Sequence, residues 1–241
     1  MRVEIWSDIA CPWCYVGKAR FEKALAGFPH RDDIEVVHRS FELDPNRKKG
    51  DNDLVLPMLS KKYGMSEAQA QAGEYNLGKQ AAAEGLDYRT EGRDHGSTFD
   101  MHRLLHFAKE HGRQTELLQI LYRANFAEQE SVYEDDERLV TLAAEAGLDA
   151  DEARAVLADP ERYAADVRTD EREAAELGAN GVPFFVLDRK YGVSGAQPAE
   201  VFTQALEQAW GNRSPLKLLQ NGGPADDADT CGPEGCAVPG A

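Results

Sequence analysis

Two cysteines near the start of the chain, Cys11 and Cys14, are separated by two residues and lie at the predicted junction between a strand and a helix. Val3 and Ile5 before them belong to a short apolar run that is typical of a strand, and the apolar residues after them recur with helical spacing. The unpaired N–H groups and the dipole of a helix N-terminus stabilise a thiolate. The spacing therefore predicts a redox dithiol in which Cys11 attacks and Cys14 resolves.

The two residues between the cysteines suit such a site. Pro12 is compatible with the first helical turn, where its missing N–H costs no hydrogen bond. Trp13 carries no charge and offers a broad apolar face beside the sulfur. We expect both side chains to contact the substrate.

The same two cysteines are compatible with three further roles. A pair of buried structural cysteines would account for the residue types but not for the strand–helix junction. A zinc site needs four ligands, and the second cysteine pair, Cys231 and Cys236, is far along the chain, so no metal is expected. A static disulfide is disfavoured in a reducing compartment.

Composition narrows the class of protein. The 241 residues carry a net charge of −16 with 42% hydrophobic residues, which is typical of a globular protein. Excess acidity disfavours binding to nucleic acid or to an anionic membrane, since both require basic patches. The sequence enters a strand directly after Met1 without a signal peptide, and no run is long enough to span a membrane, so a cytoplasmic location is expected.

The outer parts of the sequence have an α/β pattern. The first helix is followed by a second strand within residues 34–43, which predicts two parallel strands with a right-handed crossover. Strand signals return only at Phe184–Leu187 and at residues 191–193, as an antiparallel hairpin. A helix over residues 198–210 follows, so the sheet is predicted to be mixed.

Residues from about 50 to 177 are predicted to be helical throughout. Asp53 is a candidate cap for a short helix, and Ser66 with Gln69 has the form of a capping box. Asp159 followed by Pro160 predicts a helix that begins at residue 160.

Four segments resemble the DsbA-like thiol oxidoreductases, with the greatest similarity to their cytoplasmic FrnE-like branch. They are Ser-Asp-Ile-Ala-Cys-Pro-Trp-Cys at 7–14, Thr-Phe-Asp-Met-His-Arg at 98–103, Gly-Val-Pro-Phe-Phe at 181–185 and Val-Ser-Gly-Ala-Gln at 193–197. The resemblance implies an α/β thioredoxin-like fold with a mixed central sheet, interrupted by a large all-helical insertion. The corresponding domains are residues 1–48 with 178–212 for the thioredoxin-like part, 49–177 for the insertion, and 213–241 for a flexible tail.

The resemblance also implies roles for individual residues. Cys11 would be the exposed nucleophile and Cys14 its buried partner, with a cis peptide bond before Pro183 beside them. The backbone groups of Val182 would then pair with an extended substrate chain, as an added strand does. The alternative for Pro183 is an ordinary proline at a strand entrance.

A His-Arg pair at residues 102 and 103 matches the same branch. His102 and Arg103 are candidates to frame the mouth of the pocket, or to assist proton transfer to Cys14. An ordinary helix histidine is the alternative for His102. Ser97 stands where the resemblance leads us to expect asparagine.

The tail contains Cys231 and Cys236, which are separated by two glycines, a proline and a glutamate. Its composition is too poor in apolar residues to form a core. We expect an auxiliary redox pair on a flexible arm that exchanges electrons with Cys11 and Cys14. An inert tail disulfide is the alternative.

Together these features predict a thiol–disulfide oxidoreductase that acts on a disulfide- or dithiol-bearing protein or small molecule. It would need no cofactor beyond its own dithiol and would be a monomer or a homodimer. The alternative is a glutathione-dependent isomerase or transferase similar to 2-hydroxychromene-2-carboxylate isomerase. Those proteins generally have serine at the position of Cys11, so the two cysteines favour redox chemistry.

Overall fold

A computed structural model describes residues 1–133 and 135–213 in full, and the backbone of residues 231–232 and 235–236. The chain divides into two compact units, Met1–Gly211 and Asn212–Ala241, and each is described by itself. None of the helices in the described part of the chain combines the length and apolar character that a membrane span needs.

Four strands form the central sheet of the first unit, in the order β2 (Glu35–Ser40), β1 (Arg2–Ser7), β5 (Phe184–Leu187) and β6 (Tyr191–Ser194). β1 pairs with β2 in parallel, and β5 pairs with both β1 and β6 in antiparallel, so the mixed sheet predicted from the sequence is confirmed. The strands are β1 Arg2–Ser7, β2 Glu35–Ser40, β3 Asp53–Leu54, β4 Asp94–His95, β5 Phe184–Leu187 and β6 Tyr191–Ser194 in this unit, with β7 Cys231–Gly232 and β8 Gly235–Cys236 in the second.

Helices cover both faces of this sheet. Apolar side chains of α1 (Pro12–Ala26) and α9 (Ala199–Gly211) pack against Val3, Ile5 and Phe185 on one face. On the other face α8 (Ala164–Glu176) packs against Trp6 and Val186. The helices are α1 Pro12–Ala26, α2 Val55–Tyr63, α3 Glu67–Ala83, α4 Phe99–Glu110, α5 Gln114–Ala127, α6 Asp136–Glu145, α7 Ala150–Ala158, α8 Ala164–Glu176 and α9 Ala199–Gly211.

The helical insertion has its own apolar core, which reaches the dithiol. Leucines, alanines and aromatic residues of α4 to α7 form one buried cluster, and Cys11, Cys14 and Ile9 belong to it. The loop that carries the cysteines is therefore packed between the sheet and the insertion. Burial of this apolar surface stabilises the fold and fixes the loop at the same time.

Three details of the insertion differ from the sequence-based prediction. Asp53 does not cap a helix: it lies in β3 and pairs with His95 of β4, a short ladder that residues distant in sequence create. The helix expected from Pro160 begins only at Ala164. The Arg103 guanidinium donates hydrogen bonds to the carbonyl oxygens of Asp159 and Arg162, at 2.6 and 3.2 Å, and so holds this segment as a turn. The capping box of Ser66 and Gln69 is confirmed.

His38 lies in the edge strand β2 and is buried without a hydrogen-bond partner for either ring nitrogen in the described part of the chain. Its backbone N–H donates to the Gln114 side-chain oxygen at 3.2 Å, and the Gln114 amide donates to the His38 carbonyl at 3.0 Å. The side chain of Gln114 thus covers the open edge of the strand. Burial, with a smaller contribution from the charge of Lys18, lowers the pKa of His38 to about 3.

We expect His38→Leu to make the protein less sensitive to acid. An unfolded histidine binds a proton near pH 6.5 and folded His38 only near pH 3, so the native state loses up to about 1.4 kcal/mol per pH unit as the pH falls through this window. Leucine removes this loss and leaves no unpaired polar atom. Urea denaturation at several pH values measures the free energy of unfolding of both proteins. If this free energy depends on pH in the same way in His38→Leu and in the wild type below pH 6, the prediction is contradicted.

Candidate active site

Cys11 is the N-cap residue of α1, and its thiol faces the loop that precedes β5. The residue has extended backbone angles, and its carbonyl accepts the N–H groups of Cys14 and Tyr15 at 3.0 and 3.3 Å. The Cys11 thiol donates to the carbonyl oxygen of Val182 at 3.6 Å. This position places the sulfur beside the free N–H groups of the first helical turn, which favour negative charge.

Cys14 lies one turn further along α1 and is shielded from solvent. Only 1% of its surface is exposed. Cys11, which the resemblance implies to be exposed, is also buried, with 4% of its surface exposed, because the insertion core packs against the loop that carries it; both cysteines are free thiols. Burial raises the pKa of Cys14 well above its usual value, and the hydrogen bond and charge of Cys11 raise it further. The backbone N–H of Asp8 donates to the sulfur and opposes this increase in part. Cys14 therefore keeps its proton at neutral pH.

The mouth of the site is formed by a few apolar groups. Trp13 is 40% exposed beside the cysteines, and Pro12 and Val182 are half-buried. The Val182–Pro183 peptide bond is cis, as the resemblance implies. The Pro183 carbonyl accepts the N–H of Gly195 at 2.8 Å, which ties this loop to the end of β6.

Gly17 allows the Pro183 loop to lie against α1. A Cβ atom at Gly17 would lie 2.9 Å from Cγ of Pro183 and 3.3 Å from Cα of Ala196. No residue larger than glycine fits without displacing this loop. The sequence offered one sign of this contact, a glycine inside a helix three residues after Cys14, but not what it contacts.

Asp8, which had no predicted role of its own, is buried in the loop before the dithiol, and its carbonyl accepts the N–H of Cys11 at 3.1 Å. It is 1% exposed, and its Oδ2 accepts the N–H of Leu43 at 2.7 Å. Its Oδ1 lies 3.4 Å from Nε2 of His102. Burial would raise the pKa of Asp8, but the hydrogen bond and charge of His102, together with the N–H of Leu43, lower it overall.

His102 and Arg103 are each only 1% exposed. His102 reaches Asp8 under the loop that carries the cysteines. Arg103 points elsewhere and binds the carbonyls that end α7, with 2.6 Å to that of Val156. The structure thus brings His102, but not Arg103, to Asp8 in the loop before the dithiol. Ser97 accepts a long hydrogen bond of 3.4 Å from the N–H of Phe99 at the start of α4.

The auxiliary cysteines belong to the second unit. β7 and β8 form a two-residue antiparallel ladder in which Cys231 stands opposite Cys236. The remaining tail residues, for which a flexible arm was predicted, lie outside the described residues. In the described part of the chain, no group of three His, Cys, Asp or Glu side chains is arranged to hold a metal ion.

A mixed sheet, a Cys-x-x-Cys pair at a helix N-terminus and a proline loop beside it define a thioredoxin-like protein. The family model of the DSBA-like thioredoxin domain matches residues 2–207, and the chain belongs to this family. The resemblance to the DsbA-like thiol oxidoreductases is thereby confirmed, together with the predicted fold.

Solved structures agree with this assignment. A probable DsbA oxidoreductase of Streptomyces coelicolor is 74% identical, with complete coverage of both chains and a TM-score of 0.90. The cytosolic disulfide reductase DsbM of Pseudomonas aeruginosa is 18% identical, with 88% of this chain and 99% of that one covered and a TM-score of 0.61. A 2-hydroxychromene-2-carboxylate isomerase is 16% identical, with 88% and 95% covered and a TM-score of 0.60. The last two share the fold.

We expect Gly17→Ala to destabilise the protein by about 1–3 kcal/mol, because the new methyl group overpacks against Pro183. Gly73, in the open interior of α3, provides the matched control: Gly73→Ala has no atom to meet within 4 Å. It should stabilise the helix by about 0.5–1 kcal/mol. Urea denaturation of both variants measures the difference. Equal stabilisation by the two substitutions would show that the Pro183 contact is unimportant.

Proposed function

We propose that this protein is a thiol–disulfide oxidoreductase of the FrnE-like branch that works through a mixed disulfide at Cys11. The observation that carries the proposal is the unequal placement of the two thiols. Both thiols are buried, but Cys11 lies at the helix N-terminus and faces the loop of Val182, whereas Cys14 lies one turn deeper and holds its proton. One thiol is thus prepared to attack and the other is protected until a bond forms above it.

The reaction has two steps. The Cys11 thiolate attacks a substrate disulfide, a Cys11–substrate disulfide forms, and one substrate thiolate leaves. Cys14 then attacks Cys11 Sγ, the Cys11–Cys14 disulfide forms, and the second substrate thiolate leaves. The reverse sequence oxidises a dithiol substrate, and the reduction potentials of the two partners set the direction.

The mouth of the site supports a substrate with an extended apolar segment. Trp13 supplies an exposed apolar face, and the backbone of Val182 is placed to pair with a chain running past Cys11. A disulfide-bearing protein or peptide fits these features, and a small disulfide would use the same sulfur. We place this activity in the cytoplasm, where a dithiol of this kind acts transiently instead of forming a static disulfide.

The alternative function, glutathione-dependent isomerisation or transfer, shares the fold. It would use the site to activate the thiol of glutathione and would not need Cys14. The presence of a buried second cysteine with a raised pKa favours the redox function. Titration calorimetry with reduced glutathione separates the two, since the alternative requires micromolar binding without disulfide exchange.

We expect Cys14→Ser to accumulate the mixed disulfide when the reduced protein reacts with oxidised glutathione, because the resolving thiol is missing. Mass spectrometry of the intact protein and its peptides should place one glutathione on Cys11. Cys11→Ser should show no adduct at Cys14 and no turnover of a disulfide peptide. Turnover by Cys11→Ser, or the absence of an adduct in Cys14→Ser, would refute the mechanism.

The auxiliary pair is proposed to pass electrons between the site and a further partner. The opposed positions of Cys231 and Cys236 in the ladder of β7 and β8 support a pair that opens and closes. Replacing both with serine should slow multiple turnover of a protein disulfide several-fold and leave the single-turnover reaction of Cys11 unchanged. Equal multiple-turnover rates before and after the replacement would rule out the relay.

A further inference from the structure

Residues 193–197 resemble the family in sequence, yet the reaction described above gives them no part. They form the end of β6 and a tight turn over residues 194–197. The side-chain amide of Gln197 donates to the carbonyl of Ser194 at 2.9 Å, and the backbone N–H of Gln197 donates to the carbonyl of Gly195 at 2.9 Å. The 194–197 turn therefore has a shape that its own hydrogen bonds maintain.

This turn holds the loop that faces Cys11. The N–H of Gly195 donates to the carbonyl of Pro183 at 2.8 Å. Val182, next to Pro183, directs its carbonyl oxygen to the thiol of Cys11, at 3.6 Å from the sulfur. The position of the Val182 backbone relative to the Cys11 sulfur thus depends on where the 194–197 turn lies.

Arg20 of α1 holds the turn from its other side. Its Nη1 donates to the carbonyl of Ala196 at 2.7 Å, and its side chain is only 13% exposed. A hydrogen bond from a charged donor is stronger than a neutral one. Gly17, one turn earlier on α1, leaves room for the same residue, since a Cβ atom there would lie 3.3 Å from Cα of Ala196. The helix that carries the cysteines therefore fixes the turn by packing and by a hydrogen bond.

The other two nitrogens of the Arg20 guanidinium reach the helical insertion. Nε donates to the carboxylate of Glu84 at 2.8 Å, and Nη2 donates to the side-chain oxygen of Gln80 at 2.7 Å. Gln80 belongs to α3, and Glu84 is the C-cap residue of that helix. Because the planar guanidinium fixes the directions of its donors, one side chain sets the relative positions of all three partners. Arg20 thus connects α1, the insertion and the turn behind Pro183.

We propose that Arg20 is a positioning residue that sets the place of the Val182 backbone relative to Cys11 and ties it to the insertion. A substrate chain that pairs with Val182 needs this backbone at a fixed distance from the Cys11 sulfur. A small disulfide makes no such pairing and needs only the sulfur. Arg20 therefore favours protein and peptide disulfides over small ones. This inference rests on the proposed function, because it concerns the choice of substrate at the same site.

Arg47 provides a matched control for the loss of a half-buried arginine. Its side chain is 12% exposed, and it too binds a carboxylate and a backbone carbonyl. The guanidinium binds the Asp53 carboxylate at 3.0 Å and donates to the carbonyl of Asp51 at 2.6 Å. These two partners precede or belong to β3 and not to the Pro183 loop. Removing Arg47 therefore disturbs a similar set of contacts without releasing the 194–197 turn.

The test compares two disulfides that release the same thionitrobenzoate anion. One is 5,5′-dithiobis(2-nitrobenzoate), which has no peptide backbone. The other is an apolar peptide of about ten residues whose central cysteine is joined to thionitrobenzoate, long enough to add a strand beside Val182. Cys14, Cys231 and Cys236 are replaced by serine in every sample, so Cys11 is the single cysteine of the chain. In both reactions the Cys11 thiolate forms a mixed disulfide and one thionitrobenzoate leaves, which stopped-flow absorbance records.

We expect Arg20→Met to slow the reaction with the peptide about tenfold and to leave the reaction with the small disulfide within about twofold. Methionine keeps an apolar stem of similar length but donates no hydrogen bond, so the turn loses its anchor. Arg47→Met should leave both rates within about twofold. Equal slowing of both disulfides by Arg20→Met would show a general structural role, and an unchanged peptide rate would show no role; either result overturns the proposal. The proposal also fails if Arg47→Met slows the peptide reaction as much.

Gln80→Ala tests the connection to the insertion and decides the matter if Arg20→Met does not fold by circular dichroism. It removes one partner of Arg20 and places a strong helix former in α3. Slowing of the peptide reaction alone, by about threefold, supports the connection. An unchanged ratio of the two rates refutes it. If Cys11 in the otherwise unaltered chain released no thionitrobenzoate from either disulfide, the proposed function itself would be refuted instead.

Discussion

The packing of one loop between two apolar cores determines much of this protein. The loop from β1 to α1 leaves the sheet core at Ser7 and enters the core of the insertion with Ile9, Cys11 and Cys14. Cys11 and Cys14 both belong to the insertion core, whereas Phe21 and Ala24 further along α1 belong to the sheet core. The insertion therefore does more than enlarge the fold: it buries both thiols and leaves Trp13 outside. The two sulfurs differ in their neighbours, since Cys11 stands at the helix N-terminus and faces Val182.

Two buried carboxylates, Asp8 and Asp170, each contact a histidine of α4 and differ in their other partners. Asp170 is held by Arg39 and by the N–H of Ser40, so its charge is fixed and ties α8 to the edge of the sheet. Asp8 instead contacts His102, with 3.4 Å between Oδ1 and Nε2, and accepts the N–H of Leu43. The two buried carboxylates thus have different partners, although both lie against α4.

Close backbone approach also shapes the site. Gly17 lets the Pro183 loop reach α1, and the hydrogen bond from Gly195 holds that loop from its other side. The Val182 carbonyl therefore faces Cys11 from a position fixed by two separate elements. A site built on such contacts is held by its own packing and hydrogen bonds.

Local sequence determined the elements that depend on residues only a few positions apart. The strand before Cys11, the helix after it and the capping box of Ser66 depend on neighbouring side chains, so the sequence was sufficient to predict them. The four segments that resemble the DsbA-like oxidoreductases indicated the family and its fold, which the family model confirms. The tertiary structure decided what depends on distant partners. Arg103 delays the start of α8, and His102 pairs with Asp8 from 94 residues away. Such contacts form only when the chain has folded, because no local pattern encodes which buried groups will meet.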